Sequence, residues 1–188
     1  MSDSKIIFPN KKTLSGAPEG LDAIFLAKKL KGESKSLIHV AKDDARAITL
    51  KSCIKFFDPE IEVLDFPAWD CLPYDRVSPN KEISCSRMSA LTTLLLEPKK
   101  VKLIITTINA LSQRVPPKEF IKSTSLILLV GKSFNRERLI SQVVDMGYIN
   151  SSVVTGKGEF AVRGSIIDIF PPNMQFPTRL DFFGDQLD

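Results

Sequence analysis

Residues 101–107 read VKLIITT, an apolar run that lies between two segments of helical pattern. Residues 81–96 precede the run, and residues 107–113, TINALSQ, follow it. A strand that stays apolar, without alternating polar positions, is typical of a parallel sheet whose two faces are both covered by helices. The stretch therefore predicts an α/β fold built on a helix-flanked parallel sheet.

The same alternation of helices and strands continues toward the N terminus. Four segments carry it: a helical pattern at residues 21–30, a strand run at 36–41, a helix opened by Asp43 or Asp44, and a strand run at 61–66. This βαβα order predicts a first domain over residues 1–124, with the apolar strands buried between helices.

The composition changes at residues 114–125, RVPPKEFIKSTS, where two prolines end the preceding helix. Beyond this point we expect a helix at residues 135–146 and strands at residues 125–130, 151–155, 159–163, 165–170 and 178–183. Strands that follow one another through short turns indicate an antiparallel sheet. The sequence predicts a second, α+β domain over residues 125–188 with a largely antiparallel sheet. We expect that sheet to be incomplete at its C-terminal end and the chain to be a fragment of a longer protein.

Charge and cysteine content favour a protein of the reducing cytoplasm. The net charge of +4 is spread among nearly as many acidic residues, which is weak support for a nucleic-acid surface. Cys53, Cys71 and Cys85 lack the spacing of a zinc site or a disulfide framework. The sequence contains no apolar run of roughly 20 residues and no signal-peptide pattern, so we expect no membrane partner.

The segment LILLVGKSFN, residues 126–135, imitates the end of a phosphate-binding loop. A working loop has the pattern GxxxxGK[ST], because its first glycine lets backbone N–H groups surround the phosphates. Leu126 stands where that glycine is needed. We favour a tight turn in which Ser133 or Asn135 caps the next helix, and we predict no bound cofactor or metal in this chain.

Three further polar residues, His39, Asp168 and Asp181, are candidates for catalytic groups. His39, the single histidine, lies in an apolar strand without an identifiable partner, so we favour a packed position at or near the sheet. Asp168 and Asp181 suggest a carboxylate pair, but we favour their pairing across the sheet with Arg163 or Arg179. The sequence therefore predicts no catalytic residue.

Residues 66–91, FPAWDCLPYDRVSPNKEISCSRMSAL, combine the single tryptophan with several prolines. Prolines restrict the unfolded chain, and aromatic side chains give a loop its own small core. Two interpretations remain open at this point. The segment is either an internally packed loop across the end of the sheet, or a surface for DNA or a protein partner.

Residues 158–172, GEFAVRGSIIDIFPP, place Arg163 and then Gly164 within a strand that is otherwise apolar. An arginine presents a rigid fork to a carboxylate, and arginines with exposed aromatic residues are common at the centre of interfaces. Gly164 lets the backbone bend so that this fork points outward. An ion pair between Arg163 and an aspartate of the same chain is the alternative.

Several collinear motifs resemble the N-terminal part of the bacterial transcription-repair coupling factor family, Mfd, from about Phe66 to the end of the chain. They are AWDCLPYDRVSP at 68–79, SRMSAL at 86–91, TTINALSQRVPP at 106–117, GEFAVRGSIIDIFPP at 158–172 and TRLDFFGDQLD at 178–188. The earlier residues match mainly in pattern. The resemblance implies a UvrB-like first domain of helicase-like form. This domain is degenerate, because residues 15–30 lack the Gly-Lys-Ser/Thr of a phosphate-binding loop.

The resemblance also implies a function. Its second domain binds UvrA, and the family motifs place Arg163, Arg179 and Phe183 at that contact. Members of the family recognise RNA polymerase stalled at DNA lesions, displace it, and recruit the nucleotide excision repair machinery. RNA polymerase and DNA are contacted by other regions, and ATP and magnesium belong to a motor outside this chain. We expect no enzyme activity from the chain alone; the alternative is a UvrB-like or helicase-like nucleic-acid-binding domain with ATPase activity.

Overall fold

The computed structural model describes residues 13, 15–32, 34–72 and 74–188. The N-terminal stretch of residues 1–12, on which part of the signal-peptide prediction depends, lies outside the described residues. The helices are α1 (Leu21–Lys31), α2 (Asp44–Phe57), α3 (Lys81–Leu96), α4 (Ile108–Leu111), α5 (Lys118–Ser123) and α6 (Arg136–Asp145). The strands are β1 (Leu37–Ala41), β2 (Val63–Phe66), β3 (Leu103–Thr107), β4 (Ile149–Asn150), β5 (Glu159–Arg163), β6 (Ile166–Ile169), β7 (Thr178–Phe183) and β8 (Gln186–Leu187).

The first sheet is parallel, in the strand order β1-β3-β2. All five residues of the central strand β3 are buried, as the run VKLIITT predicts. Helices α1 and α2 cover one face through a cluster that includes Leu50 and Ile54, and α3 covers the other face near β2. The predicted α/β class with a helix-flanked parallel sheet is confirmed.

Strand β1 departs from the prediction that both sheet faces are covered. Ile38 is 64% exposed and Val40 is 44% exposed, although both are apolar. The reason is position in the sheet: β1 is an edge strand, and α3 packs over β2 on that face. An apolar run cannot by itself distinguish an edge strand from a central one, because the covering helix is placed by tertiary packing.

Three helices begin with a capping side chain, and two of these caps, Asp43 and Asn135, are among the predicted candidates. Asp43 Oδ1 accepts a hydrogen bond of 2.8 Å from the N–H of Arg46 at the start of α2. Asn80 caps α3, and Asn135 caps α6 by accepting from the N–H of Arg138 at 2.9 Å. Each side-chain oxygen satisfies one of the N–H groups that a helix start leaves without an intrahelical partner. The interpretation of residues 131–135 as a turn leading to a capped helix is confirmed.

The second sheet has the order β4-β5-β6-β7-β8 and is antiparallel except for the β4–β5 pair. The largely antiparallel sheet is thereby confirmed. Helix α6 packs Leu139 and Val143 against Phe160, Ile167 and Leu180 on one face of this sheet. The two parts of the chain also touch directly, since Lys81 Nζ at the start of α3 lies 3.3 Å from Glu159 Oε1 on β5.

The strand expected at residues 125–130 is not formed. The chain instead joins the sheet a few residues later, where the N–H of Gly131 donates to the carbonyl of Leu187 at 2.8 Å. The N–H of Phe134 also donates to the carbonyl of Asp185, at 2.7 Å. The apolar run at residues 125–130 therefore lies just before the residues that pair with β8, and the prediction missed the pairing residues themselves.

The prediction of a strand at residues 151–155 is also wrong. Only Ile149 and Asn150 pair with β5, as the short strand β4. The backbone N–H groups of Thr155 and Gly156 both donate to the Glu159 carboxylate, each at 2.9 Å. A side-chain carboxylate takes the donors that a strand would use, so this segment forms a turn.

Candidate protein-interaction surface

The second sheet has one face packed on α6, and its other face is exposed along β7. Along β7, Leu180 and Phe182 are buried in the core, whereas Arg179, Asp181 and Phe183 are exposed. This is the period-two alternation of a strand with one covered face. The exposed face therefore collects polar and aromatic side chains from β7 and from its neighbours.

The register shows which residues share this exposed face. Arg163 on β5 pairs with Ile166 on β6, and Ile166 pairs with Asp181 on β7. Asp168 pairs with Arg179. Residues that are directly opposite in adjacent strands point to the same face. We call this surface the outer sheet face and define it by six residues: Arg163, Ile166, Asp168, Arg179, Asp181 and Phe183.

Arg179 is held by Asp168 through two hydrogen bonds. Its Nε donates to Asp168 Oδ1 at 2.7 Å, and its Nη2 donates to Oδ2 at 2.9 Å. These bonds are the main cause that lowers the pKa of the Asp168 carboxyl and raises the pKa of Arg179. The predicted pairing of Asp168 with an arginine across the sheet is confirmed, with Arg179 as the partner.

Arg163 is bonded differently from Arg179. Its Nη2 donates to the backbone carbonyl of Ser152, in the segment between β4 and β5, at 2.5 Å. The alternative ion pair with an aspartate is not formed in the described part of the chain. The positive charge of Arg163 nevertheless contributes, after Arg179, to the lowered pKa of Asp168. Both arginines are therefore exposed, and the charges of both lower the pKa of Asp168.

Gly164 occupies the first central position of the two-residue turn between β5 and β6. Because Arg163 pairs with Ile166, the turn contains only Gly164 and Ser165. Gly164 has a φ of 56°, a left-handed conformation that residues with a Cβ rarely adopt. A positive φ at this position alone is the pattern of a type II′ turn, whose twist suits a hairpin. The glycine thus places Arg163 at the end of β5 beside Ile166.

Phe183 ends β7 with its ring in solvent. The side chain is 87% exposed, and Gly184 begins the next tight turn with a φ of 64°. The structure therefore brings Arg163, Arg179 and Phe183 to one face of one sheet. Sequence reasoning paired Asp181 with an arginine across the sheet, but among the described residues its Oδ1 instead accepts a hydrogen bond from Ser165 Oγ. Sequence reasoning did not assign Ile166 to this surface, although strand alternation combined with the two-residue turn between β5 and β6 would have identified it.

The tryptophan loop, residues 67–80, has a buried arginine beneath it. Arg87 on α3 is 2% exposed, and its guanidinium carbon lies 4.3 Å from the ring centre of Phe66 and 4.5 Å from that of Trp69. Its Nη1 donates to the carbonyl of Pro67 at 2.6 Å and to Gln113 Oε1 at 3.2 Å. Burial lowers the pKa of Arg87. This part of the loop is internally packed, and sequence reasoning missed the residue that packs it.

The remaining polar candidates occupy ordinary structural positions. His39 is half-buried on β1, and burial is the main cause that lowers its pKa. The described residues contain no cluster of three or more side chains suited to a metal ion. Within the same ranges, no helix is long and apolar enough to cross a membrane.

Comparison with known proteins adds to this geometry. Residues 126–188 match the family model described as UvrB interaction domain. The chain is 35% identical to a transcription-repair-coupling factor of Escherichia coli over 152 residues, which are 81% of this chain and 13% of that protein. The protein of the same name from Haemophilus influenzae is 32% identical over 177 residues, 94% of this chain and 15% of the relative. The Myxococcus xanthus protein is 34% identical over 160 residues, 81% of this chain and 13% of the relative.

The helix-flanked parallel sheet, followed by an exposed antiparallel face in a UvrB interaction domain, defines a UvrB-like interaction module. The relatives have one name in common and match most of this chain. The chain belongs to the transcription-repair-coupling factor family and corresponds to its N-terminal, UvrB-like module. It spans only 13% to 15% of the length of the first three of these relatives.

Proposed function

We infer that this chain is the part of a transcription-repair-coupling factor that recruits UvrA, and that the outer sheet face is the contact surface. One observation carries this inference. Arg163, Arg179 and Phe183, which the family motifs assign to the UvrA contact, are separated along the sequence yet lie on one exposed sheet face. The family match over residues 126–188 supports a protein-interaction role for the same region.

The chemistry of the outer sheet face suits a protein partner. Two guanidinium groups can each make charge-assisted hydrogen bonds to carboxylates or carbonyls. Phe183 offers an aromatic ring that would lose its contact with water on binding. Arginine and aromatic side chains of this kind often contribute most of the binding free energy of an interface. We expect the complementary surface of UvrA to carry acidic groups and an apolar recess.

The wider role follows the family. In this proposal the complete protein recognises RNA polymerase stalled at a DNA lesion, displaces it, and recruits nucleotide excision repair in the cytoplasm. RNA polymerase and DNA would be bound by other regions, and ATP with magnesium by a motor outside this chain. Residues 1–124 would form the UvrB-like first domain, and residues 125–188 the UvrA-binding domain.

Titration of UvrA with the chain tests the contact. The variants are Arg163→Ala, Arg179→Glu and Phe183→Ala. Each should weaken binding by about 2 kcal/mol or more, roughly 30-fold in Kd, because each removes or reverses an arginine or aromatic group of the outer sheet face. Calorimetry would measure the affinity, and thermal melting would show that each variant is folded.

Two matched variants on the same domain serve as controls. Arg138→Ala removes an exposed arginine of α6, and Phe176→Ala removes an exposed ring that precedes β7. Neither residue belongs to the outer sheet face, so both variants should bind UvrA as the unaltered chain does. Folded site variants that keep full affinity would show that the contact lies elsewhere.

A further inference from the structure

Asp168 binds only one edge of the Arg179 guanidinium. The Asp168 carboxylate takes one N–H from Nε and one from Nη2. A guanidinium carries five N–H donors, so the two on Nη1 and the second on Nη2 are not engaged by Asp168. One N–H of Nη1 and the remaining N–H of Nη2 form the edge at the far end of the side chain, and that edge also matches the two oxygens of a carboxylate.

The two side chains differ in depth. The Asp168 side chain is 20% exposed, whereas that of Arg179 is 61% exposed. Asp168 lies on β6, between β5 and β7, so its backbone is fixed by pairing on both sides. The carboxylate is therefore the anchored member of the pair, and the guanidinium is the member that reaches solvent.

We propose that Asp168 is a positioning residue for UvrA docking, which holds the Arg179 guanidinium so that its free edge faces a carboxylate of UvrA. This inference rests on the proposed function. A free arginine side chain samples many rotamers and loses that freedom on binding. With Asp168 in place the rotamer is selected before UvrA arrives, so less freedom is lost in the complex.

Two further charges lie near the pair. Arg163 lies on the same face, and its positive charge acts on Asp168. Asp181 lies two residues along β7 from Arg179; its negative charge acts on Arg179, and its Oδ1 accepts a hydrogen bond from Ser165 Oγ at 3.3 Å. The surroundings of the pair are mixed in charge, so the second edge of the guanidinium is the feature that an incoming carboxylate would bind. An ammonium group in place of the guanidinium would offer no second edge, so Arg179→Lys should not substitute for arginine.

A double-mutant cycle tests the proposal. UvrA affinity is measured for the unaltered chain, Asp168→Asn, Arg179→Ala and the double variant. Asp168→Asn should weaken binding about tenfold in the unaltered chain and less than about twofold in the Arg179→Ala background, since Asp168 acts through Arg179. Asp145→Asn, an exposed aspartate at the end of α6, is the control and should have no effect. Asp168→Glu keeps a carboxylate and should recover part of the affinity.

A second measurement does not involve UvrA. The Nε–H of Arg179 should give a protected nuclear magnetic resonance signal in the free chain and lose that protection in Asp168→Asn. If Arg179→Ala binds UvrA with full affinity, both the proposed function and this inference are contradicted. If Arg179→Ala binds weakly, the inference alone is overturned by an Asp168→Asn chain that binds normally or more tightly. It is equally overturned if Asp168→Asn weakens the Arg179→Ala chain to the same degree as the unaltered chain, or leaves the Nε–H protected.

Discussion

Replacing Arg87 with alanine should destabilise the first part of the chain strongly. Arg87 is a buried cation whose guanidinium lies against the rings of Phe66 and Trp69 and donates to the Pro67 carbonyl and to Gln113 Oε1. Gln113 Oε1 also accepts the backbone N–H of Trp69 at 2.8 Å. Arg87 therefore joins α3, the end of β2 and the tryptophan loop.

The size of the effect follows from these contacts. The half-buried Pro67 carbonyl loses a donor, at a cost on the order of 1–3 kcal/mol, and Gln113 Oε1 loses one of its two donors at a smaller cost. Each lost contact with an aromatic ring costs about 1 kcal/mol. Burying the guanidinium in the folded chain costs several kcal/mol in lost hydration. Arg87→Ala removes this desolvation cost, which offsets part of the loss from the missing contacts. We expect a net loss of about 3 kcal/mol in the free energy of unfolding. For a chain of this length that corresponds to a fall in Tm of roughly 6–12 °C.

Urea unfolding followed by tryptophan fluorescence measures this loss at the site itself, because Trp69 is the single tryptophan. Arg114→Ala removes an exposed arginine next to Gln113 and should change the unfolding free energy by less than about 0.5 kcal/mol. Arg87→Met keeps an apolar side chain and should lie between the two. If Arg87→Ala unfolds at the same urea concentration as Arg114→Ala, the arginine does not stabilise the loop.

Two further predictions concern the second sheet. Gly164→Ala should lower the unfolding free energy by about 1 kcal/mol or more in urea titrations, because of the positive φ, whereas Gly32→Ala, at a φ of −98°, should be close to neutral. Hydrogen bonds from the N–H groups of Thr155 and Gly156 are the main cause that lowers the pKa of Glu159 from 4.5 to about 2. A carboxyl with a lowered folded-state pKa contributes stability above pH 4.5 that is lost as the pH falls toward 2. Urea titrations across that window should show a smaller loss for Glu159→Gln, and equal pH dependence of the two chains would contradict this role.

Local signals in the sequence predicted much of the fold. The apolar run of β3 and the capping residues Asp43 and Asn135 each act within a few residues, so strand and helix positions followed from them. The outward direction of Arg179 and Phe183 follows from alternation along β7 in the same way. These features depend on neighbours in sequence, which are visible without a structure.

The failures share a dependence on distant residues. Ile38 and Val40 are exposed because α3 covers a different part of the sheet. Residues 125–130 read as a strand, yet pairing with β8 begins only at Gly131. The burial of Arg87 was not predicted, because its aromatic neighbours come from another segment. Packing between segments decides such cases, and neither propensity nor periodicity contains it.

The arginines of this chain can be sorted by what surrounds them. Arg87 is buried against rings and carbonyls, so its removal should act on stability. Arg179 is exposed and paired with a carboxylate, and an exposed ion pair contributes only about 0–1 kcal/mol to folding. The Asp168–Arg179 pair is therefore a weak support for the sheet, and its main physical effect is to fix the direction of a guanidinium. A group held in one direction at the surface, with N–H donors that Asp168 does not engage, is better suited to recognition than to folding.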